Sequence, residues 1–123
     1  MLLLHLFADF TMQGWFANGK QKSWWLEMCE KLGFSFGPYK YDYICALIGH
    51  AVYWTLITFS PIIFFADWPS VCSLGLFVAV QAFIHADIDD LKANRFKINL
   101  IADQLLHIVQ IIVGVLVLFK LES

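Results

Sequence analysis

The sequence predicts an all-α fold, an integral membrane bundle of four helices with an additional short interfacial helix, and three observations lead to it. Of the 123 residues, 60% are hydrophobic and only 15% are charged, and the mean hydropathy is +0.69. A soluble domain of this size has too little interior to hide so much apolar surface. Three apolar segments also reach the roughly 20 residues that a helix needs to cross hydrocarbon. No linker or repeat interrupts the chain, so we treat 1–123 as one transmembrane helical domain.

Four apolar segments account for the bundle, at about 1–17, 42–66, 70–91 and 98–120. The first is short and carries His5, Asp9 and Gln13 where a signal peptide keeps a clean apolar core, so we predict a retained helix. Pro61 is expected to kink the second helix. Ser70 follows a turn sequence and is the expected N-cap of the third.

Residues 18–41 form the long polar connection between the first two helices. Within it, the segment at about 23–33 combines Trp24 and Trp25 with charges of both signs, which favours a helix lying at the membrane surface over a recognition helix for a partner. Basic residues concentrate in this connection and in the one after the third helix: Lys20, Lys22, Lys31, Lys40, Lys92, Arg95 and Lys97. The positive-inside rule therefore predicts that both basic loops are cytoplasmic.

Several function classes lack support in the sequence. The net charge of -2 comes without a basic stripe, so no nucleic acid partner is predicted. Cys29, Cys45 and Cys72 are odd in number and widely spaced, which indicates apolar fillers instead of a zinc motif. No serine-hydrolase elbow, P-loop, dinucleotide fingerprint or zinc-peptidase motif is present.

All four histidines lie inside apolar segments, and three of them have an aspartate four residues away. The pairs are His5 with Asp9, His85 with Asp89, and Asp103 with His107. Residues at i and i+4 share one face of a helix, so each pair forms a polar stripe. Ionisable side chains are costly in hydrocarbon and usually face the interior of a bundle. The isolated His50 is expected to join them there.

The predicted topology also brings these residues to one level. At about 1.5 Å of rise per residue from the cytoplasmic ends, the histidines, Asp9 and Asp103 lie roughly 9–18 Å deep. A single pair is best explained by a hydrogen bond that fixes helix register, but the whole set exceeds that need and matches the mixed N and O donors of Zn, Mn or Fe sites. The predicted ligands are His5, Asp9, His50, His85, Asp103 and His107. Asp89 and Asp103 are the candidate catalytic general bases.

The motifs together resemble a family. They are the run from His5 through Asp9 to Gln13, the isolated His50, the run from His85 through Asp89 to Lys92, and Asp103-Gln104-Leu-Leu-His107. In combination they resemble the domain of unknown function 3307 family, small integral membrane proteins of bacteria and phages, over nearly the whole chain. An aspartate at position 87 and a longer first connection depart from its pattern.

The resemblance implies a bacterial inner-membrane protein and adds four residues to the functional set: Gln13, Lys20, Lys92 and Gln104. It implies that Gln104 orients a neighbour and that the two lysines meet an anionic group, but it supplies no activity.

Three functions stay open from the sequence. The first is a metal-dependent hydrolase acting on a lipid-like or phosphorylated substrate, in which bound metal activates water and Lys20 and Lys92 bind the anionic group. The second is a non-catalytic phage or bacterial membrane factor whose polar core serves assembly or partner binding. The third is a small proton or metal-ion transporter, which requires a homo-oligomer because four short helices enclose little room. Membrane lipids are the expected partners in each case.

Overall fold

The computed structural model describes residues 1–11 and 13–122, and all regular secondary structure in that part of the chain is helical. This confirms the all-α prediction. The helices are α1 (Leu2–Phe10), α2 (Phe16–Gly19), α3 (Lys22–Leu32), α4 (Asp42–Thr58), α5 (Ser60–Phe65), α6 (Val71–Ala93) and α7 (Leu100–Glu122), with a 3-10 turn at Gly37–Tyr39.

The first predicted helix, at 1–17, is interrupted in the structure. Helix α1 ends at Phe10, and Gly14 adopts a left-handed backbone with φ of +52° before α2 begins. Glycine tolerates this conformation and a continuous helix does not, which explains the break. The predicted surface helix at 23–33 is α3, which ends at Gly33 with φ of +71°.

The second predicted helix is divided in two. Helix α4 ends at Thr58 and α5 begins at Ser60, because Pro61 has no backbone N–H to donate back into α4. The N-cap predicted at Ser70 is present, since its Oγ accepts a hydrogen bond from Ser73 N at 3.1 Å. This cap starts α6 at Val71.

Two helices among the described residues are long and apolar enough to cross a membrane, Val71–Ala93 and Leu100–Lys120. Large apolar side chains are exposed along both, including Leu76, Phe83, Ile101 and Leu116. Exposed apolar surface of this extent fits contact with lipid or with another protein. The four-span bundle predicted from the sequence stays a prediction, because α1 and α4 are shorter than a full span.

Helix α4 packs against α6 and α1, and α7 packs against α6. Where α4 ends and α6 begins, the interior is aromatic: the ring of Phe77 lies 5.2 Å from that of Phe59 and 5.3 Å from that of Trp68. Gly114 lets α7 approach this layer, since a Cβ there would lie 2.9 Å from Phe59 Cε1. We call Phe59, Trp68 and Phe77 the aromatic layer.

At the opposite end, Asn94 fastens the start of α3 to the end of α6. Its Oδ1 accepts from Lys22 N at 2.8 Å, and its Nδ2 donates to Lys20 O at 3.0 Å. Beside it, the hydrogen bond from the Arg95 guanidinium to Asp90 raises the pKa of Arg95 above its ordinary value. The Asn94 contacts fix the backbone at Lys20, and the side chain of Lys20 is buried within the bundle.

Candidate metal centre

The histidine and aspartate side chains predicted to converge do so. Each is at most 7% exposed, and together they come from α1, α4, α6 and α7: His5, Asp9, His50, His85, Asp89, Asp103 and His107. We call this set the polar cluster. Charged and polar groups at this depth are costly unless they are paired with one another, so their contacts determine what the cluster can do.

Three imidazoles form a row with His85 in the middle. His85 Nε2 lies 3.2 Å from His50 Nε2, and His85 Nδ1 lies 3.1 Å from His107 Nδ1. The indole of Trp54 stacks on the His85 ring, with centroids 4.0 Å apart and planes 15° apart. The stacked indole and the two neighbouring imidazoles restrict the orientation of the His85 ring.

Carboxylate oxygens surround the His50 end of the row. Asp9 Oδ1 lies 3.5 Å from His50 Nε2, and Asp89 Oδ2 lies 3.4 Å from the same nitrogen and 3.7 Å from His85 Nε2. These distances exceed the roughly 2.7–3.2 Å of an N–H to O hydrogen bond. In a tetrahedral site with bonds of about 2.0–2.2 Å, neighbouring ligand atoms are about 3.3–3.6 Å apart. The two N to O distances at His50 Nε2 therefore fall in the range of separations between metal ligands.

Two groups of three residues each offer ligand atoms within 4.8 Å of one another: Asp9, His50 and His85, and His85, Asp89 and His107. In the second group, His107 faces His85 with Nδ1, while Asp89 Oδ1 lies 3.4 Å from the other nitrogen, Nε2. The closest contacts of His107 are thus divided between two ring atoms. In the first group, by contrast, a single atom, His50 Nε2, lies 3.2 Å from His85 Nε2 and 3.5 Å from Asp9 Oδ1. Asp89 Oδ2 lies 3.4 Å from the same atom.

Two lysines contact the cluster. Lys20 Nζ donates to Asp89 Oδ2 and Lys92 Nζ to Asp103 Oδ2, both at 2.7 Å. The Lys20 side chain is 9% exposed and that of Lys92 is 35% exposed. Three ionised carboxylates against two ammonium groups leave one negative charge uncompensated. A proton on an imidazole or a bound cation would offset it.

His5 is held by a different set of contacts. Trp54 Nε1 donates to His5 Nδ1 at 3.0 Å, so the His5 proton is on Nε2, which lies 3.1 Å from Gln104 Oε1 and donates to it. Both ring nitrogens are thereby used in hydrogen bonds. In this arrangement His5 orients Gln104 and leaves no nitrogen for an ion.

Gln104 in turn positions two carboxylates. Its Nε2 lies 3.3 Å from Asp9 Oδ2 and 3.1 Å from Asp103 Oδ2 and donates to both. Asp9 Oδ1 has no hydrogen-bond partner among the described residues and lies on the His50 side. The orienting role expected for Gln104 therefore has a structural basis.

Trp54 was not among the residues selected from the sequence, although its position could have indicated it. It lies four residues after His50 and is fully buried, so it shares the inward face of α4. Gln13, by contrast, is half-buried beyond the end of α1. No side-chain hydrogen bond or ion pair joins Gln13 to the polar cluster in the part of the chain that the structure describes.

A second set of buried polar side chains lies between the polar cluster and the aromatic layer. Gln110 Nε2 donates to Gln81 O at 2.7 Å and to Gln81 Oε1 at 3.0 Å, an interhelical contact between α6 and α7. The hydroxyls of Thr55 and Thr58 are buried without a hydrogen-bond partner among the described residues.

No family model, curated protein or solved structure matches this chain. The resemblance to the domain of unknown function 3307 family therefore stays a prediction. A function is therefore inferred from the contacts, distances and charges of the polar cluster.

Proposed function

We propose that the protein is an integral membrane metalloprotein that binds one divalent transition-metal ion through Asp9, His50 and His85, with Asp89 as the fourth ligand. The separations of 3.2, 3.4 and 3.5 Å from His50 Nε2 to His85 Nε2, Asp89 Oδ2 and Asp9 Oδ1 support this assignment. The two N to O separations are longer than good hydrogen bonds, and all three separations are close to the edges of a tetrahedral site.

The charge of the cluster supports a cation, and the donor atoms narrow its type. Without an ion, the three carboxylates and two ammonium groups leave one negative charge uncompensated. With one divalent ion they leave one positive charge, so ion binding does not increase the net charge buried in the cluster. Two imidazole nitrogens with two carboxylate oxygens suit Zn, Mn or Fe, whereas Mg and Ca favour sites made of oxygen alone. The buried Asp9 Oδ1, without a hydrogen-bond partner among the described residues, supplies an oxygen that such an ion would satisfy.

A second candidate function is metal-dependent hydrolysis of an anionic lipid-like or phosphorylated substrate. The observation in its favour is Lys92, which reaches the surface while it pairs with the fully buried Asp103. In this function a water would replace Asp89 as the fourth ligand, the ion would lower the pKa of that water, and Asp89 or Asp103 would be the general base. In this function Lys92 is the first positive charge that a substrate phosphate meets.

Transport receives less support from the interior of the bundle. A pathway for ions needs polar groups across the whole membrane, but beyond Gln81 and Gln110 the interior is filled by the aromatic layer. The rings of this layer do not supply the polar groups that such a pathway needs. A centre closed at one end favours binding or catalysis.

We further propose that α1, α4, α6 and α7 lie in a bacterial inner membrane with both basic loops in the cytoplasm. Single cysteines at Lys31, Lys97 and Asp67, placed in a protein whose native cysteines are replaced by alanine, test this orientation. A membrane-impermeant maleimide should label Asp67→Cys in intact cells and should label the other two only after lysis. Labelling of the lysine positions in intact cells would overturn the orientation.

Metal analysis of the purified protein in detergent tests the metal centre. We expect one Zn, Mn or Fe per chain, lost in His50→Ala and in Asp9→Asn. Thr58→Val is the matched control, because it removes a buried hydroxyl outside the cluster and conserves shape. Wild-type protein that is folded, carries no metal and binds neither Zn²⁺ nor Co²⁺ in titration would refute the proposal.

A further inference from the structure

We infer that His107 and Asp103 serve the metal centre from outside its ligand set, as a hydrogen-bond relay that fixes the tautomer of His85. This inference rests on the proposed metal site and changes the role of two residues that the sequence assigned as ligands. It assigns coordination to two of the four imidazoles, those of His50 and His85.

The proton position on His85 determines the proton position on His107, its neighbour in the row of imidazoles. A neutral imidazole has one N–H, so if His85 binds the ion through Nε2 its proton is on Nδ1. That Nδ1 lies 3.1 Å from His107 Nδ1, which must then accept the hydrogen bond. The proton of a neutral His107 is consequently on Nε2.

The surroundings of His107 Nε2 suit an N–H at that position. This atom lies 3.4 Å from Asp89 Oδ1 and 3.5 Å from Asp103 Oδ1, and it has no closer hydrogen-bond partner among the described residues. If Nε2 of His107 instead coordinated a second ion, both Nδ1 atoms would carry protons that face each other at 3.1 Å. The contact between His85 and His107 therefore excludes simultaneous ligation by the two neutral rings through Nε2.

Asp103 completes the relay because its other oxygen is already in use. Lys92 Nζ and Gln104 Nε2 donate to Asp103 Oδ2 at 2.7 and 3.1 Å, which leaves Oδ1 directed at His107. The relay thus runs from His85 through a hydrogen bond to His107, whose Nε2 faces the Asp103 carboxylate oxygen 3.5 Å away. Such outer partners orient a ligating imidazole and increase its basicity, and their loss typically costs about 10–100-fold in metal affinity.

Two substitutions at one position separate this role from direct ligation. In His107→Gln, the side-chain carbonyl can still accept from His85 Nδ1, whereas in His107→Leu nothing can. Co²⁺ titrated into each purified protein in detergent should bind about 10–100-fold more weakly to the leucine variant. We expect the glutamine variant to recover most of that loss, and the visible absorption bands of bound Co²⁺ to keep the wild-type positions in both.

A ligand variant provides the comparison. His50→Ala should shift the Co²⁺ bands and lower the number of coordinated imidazoles, measured by X-ray absorption, from two to one. A wild-type count above two, or a decrease in the count in His107→Leu, would overturn the relay and make His107 a ligand. Equal losses in His107→Gln and His107→Leu would overturn it as well. Wild-type protein that does not bind Co²⁺ would instead refute the metal site itself.

A measurement on the wild type keeps the inference testable should the variants fail to fold. Nitrogen chemical shifts of the imidazoles in Zn²⁺-loaded, ¹⁵N-labelled protein should show His85 protonated at Nδ1 and His107 protonated at Nε2. The opposite tautomer at His107, with its proton on Nδ1, would contradict the relay.

Discussion

The two ends of the bundle have opposite kinds of interior, although α4, α6 and α7 extend from one to the other, with Phe59 directly after the last residue of α4. At one end Phe59 and Phe77 pack in the aromatic layer, next to Gly114. At the other end the same helices bring His50, His85 and their neighbours together. At the aromatic end, close packing of apolar side chains stabilises the contact between helices without burying charged groups. The polar end carries a desolvation cost that only specific contacts offset, and the proposed function rests on those contacts.

The largest expected effect on folding comes from the aromatic end. Phe59 is fully buried, so Phe59→Ala removes a ring and leaves a cavity, and we expect the free energy of unfolding to fall by about 3–5 kcal/mol. Thermal unfolding in detergent measures this change. Protein that still folds should keep one metal per chain, since the ring contacts of Phe59 among the described residues are with Trp54 and Phe77 and not with a proposed ligand. Loss of metal at unchanged stability would show that the two ends are not separable.

A comparable loss is expected at the polar end when one partner of a buried ion pair is removed. Asp89→Asn leaves the Lys20 ammonium buried without its 2.7 Å partner, and such a change typically costs about 3–5 kcal/mol. The double variant Lys20→Met with Asp89→Asn should recover most of that stability because no unpaired charge remains. Metal binding should stay weak in both, since Asp89 is a proposed ligand. A double variant no more stable than Asp89→Asn would argue against the ion pair.

Acid should release the metal while the aromatic end stays intact. Protons compete with the ion for the imidazole nitrogens and carboxylates, so affinity should fall as the pH is lowered, by about tenfold per pH unit for each proton displaced. Isothermal titration with Zn²⁺ at several pH values measures the slope. Affinity independent of pH would contradict ligation by histidine.

The smallest effect is expected at Lys92. Its pair with Asp103 has the same 2.7 Å length as the Lys20 pair, but the Lys92 side chain is 35% exposed. Solvent therefore screens the Lys92 charge, and the buried Asp103 Oδ2 keeps its hydrogen bond from Gln104, so Lys92→Met should cost about 1–3 kcal/mol, less than Asp89→Asn. If the hydrolase function is correct, the same variant should weaken binding of an anionic substrate. A stability loss as large as that of Asp89→Asn would show that exposure does not separate the two pairs.

Helix periodicity explains why most of the polar cluster could be predicted from the sequence. The i and i+4 spacing of His85 with Asp89 and of Asp103 with His107 places each pair on one face whatever the tertiary structure, and the cost of burial turns that face inward. The prediction that His50 belongs to the polar cluster rested on its depth in the membrane alone. These arguments need no knowledge of individual contacts.

The division of roles among the imidazoles was beyond the sequence, because it depends on which nitrogen faces which neighbour. The bond from Trp54 to His5 and the contact between His85 and His107 are tertiary, and they join residues 49 and 22 positions apart. The break before α2 depends on one local feature, the left-handed φ of Gly14. The sequence did not predict this break, because glycine also occurs within helices.

An anomalous-difference map of crystals grown with Zn²⁺, measured across the zinc absorption edge, locates the proposed ion directly. We predict one peak within the bundle, about 2.0–2.2 Å from His50 Nε2, His85 Nε2 and an oxygen of Asp9. The peak should lie beyond bonding distance of both nitrogens of His5 and His107. A map without a peak in the polar cluster, or with zinc bound only by exposed residues such as Asp87, would contradict it.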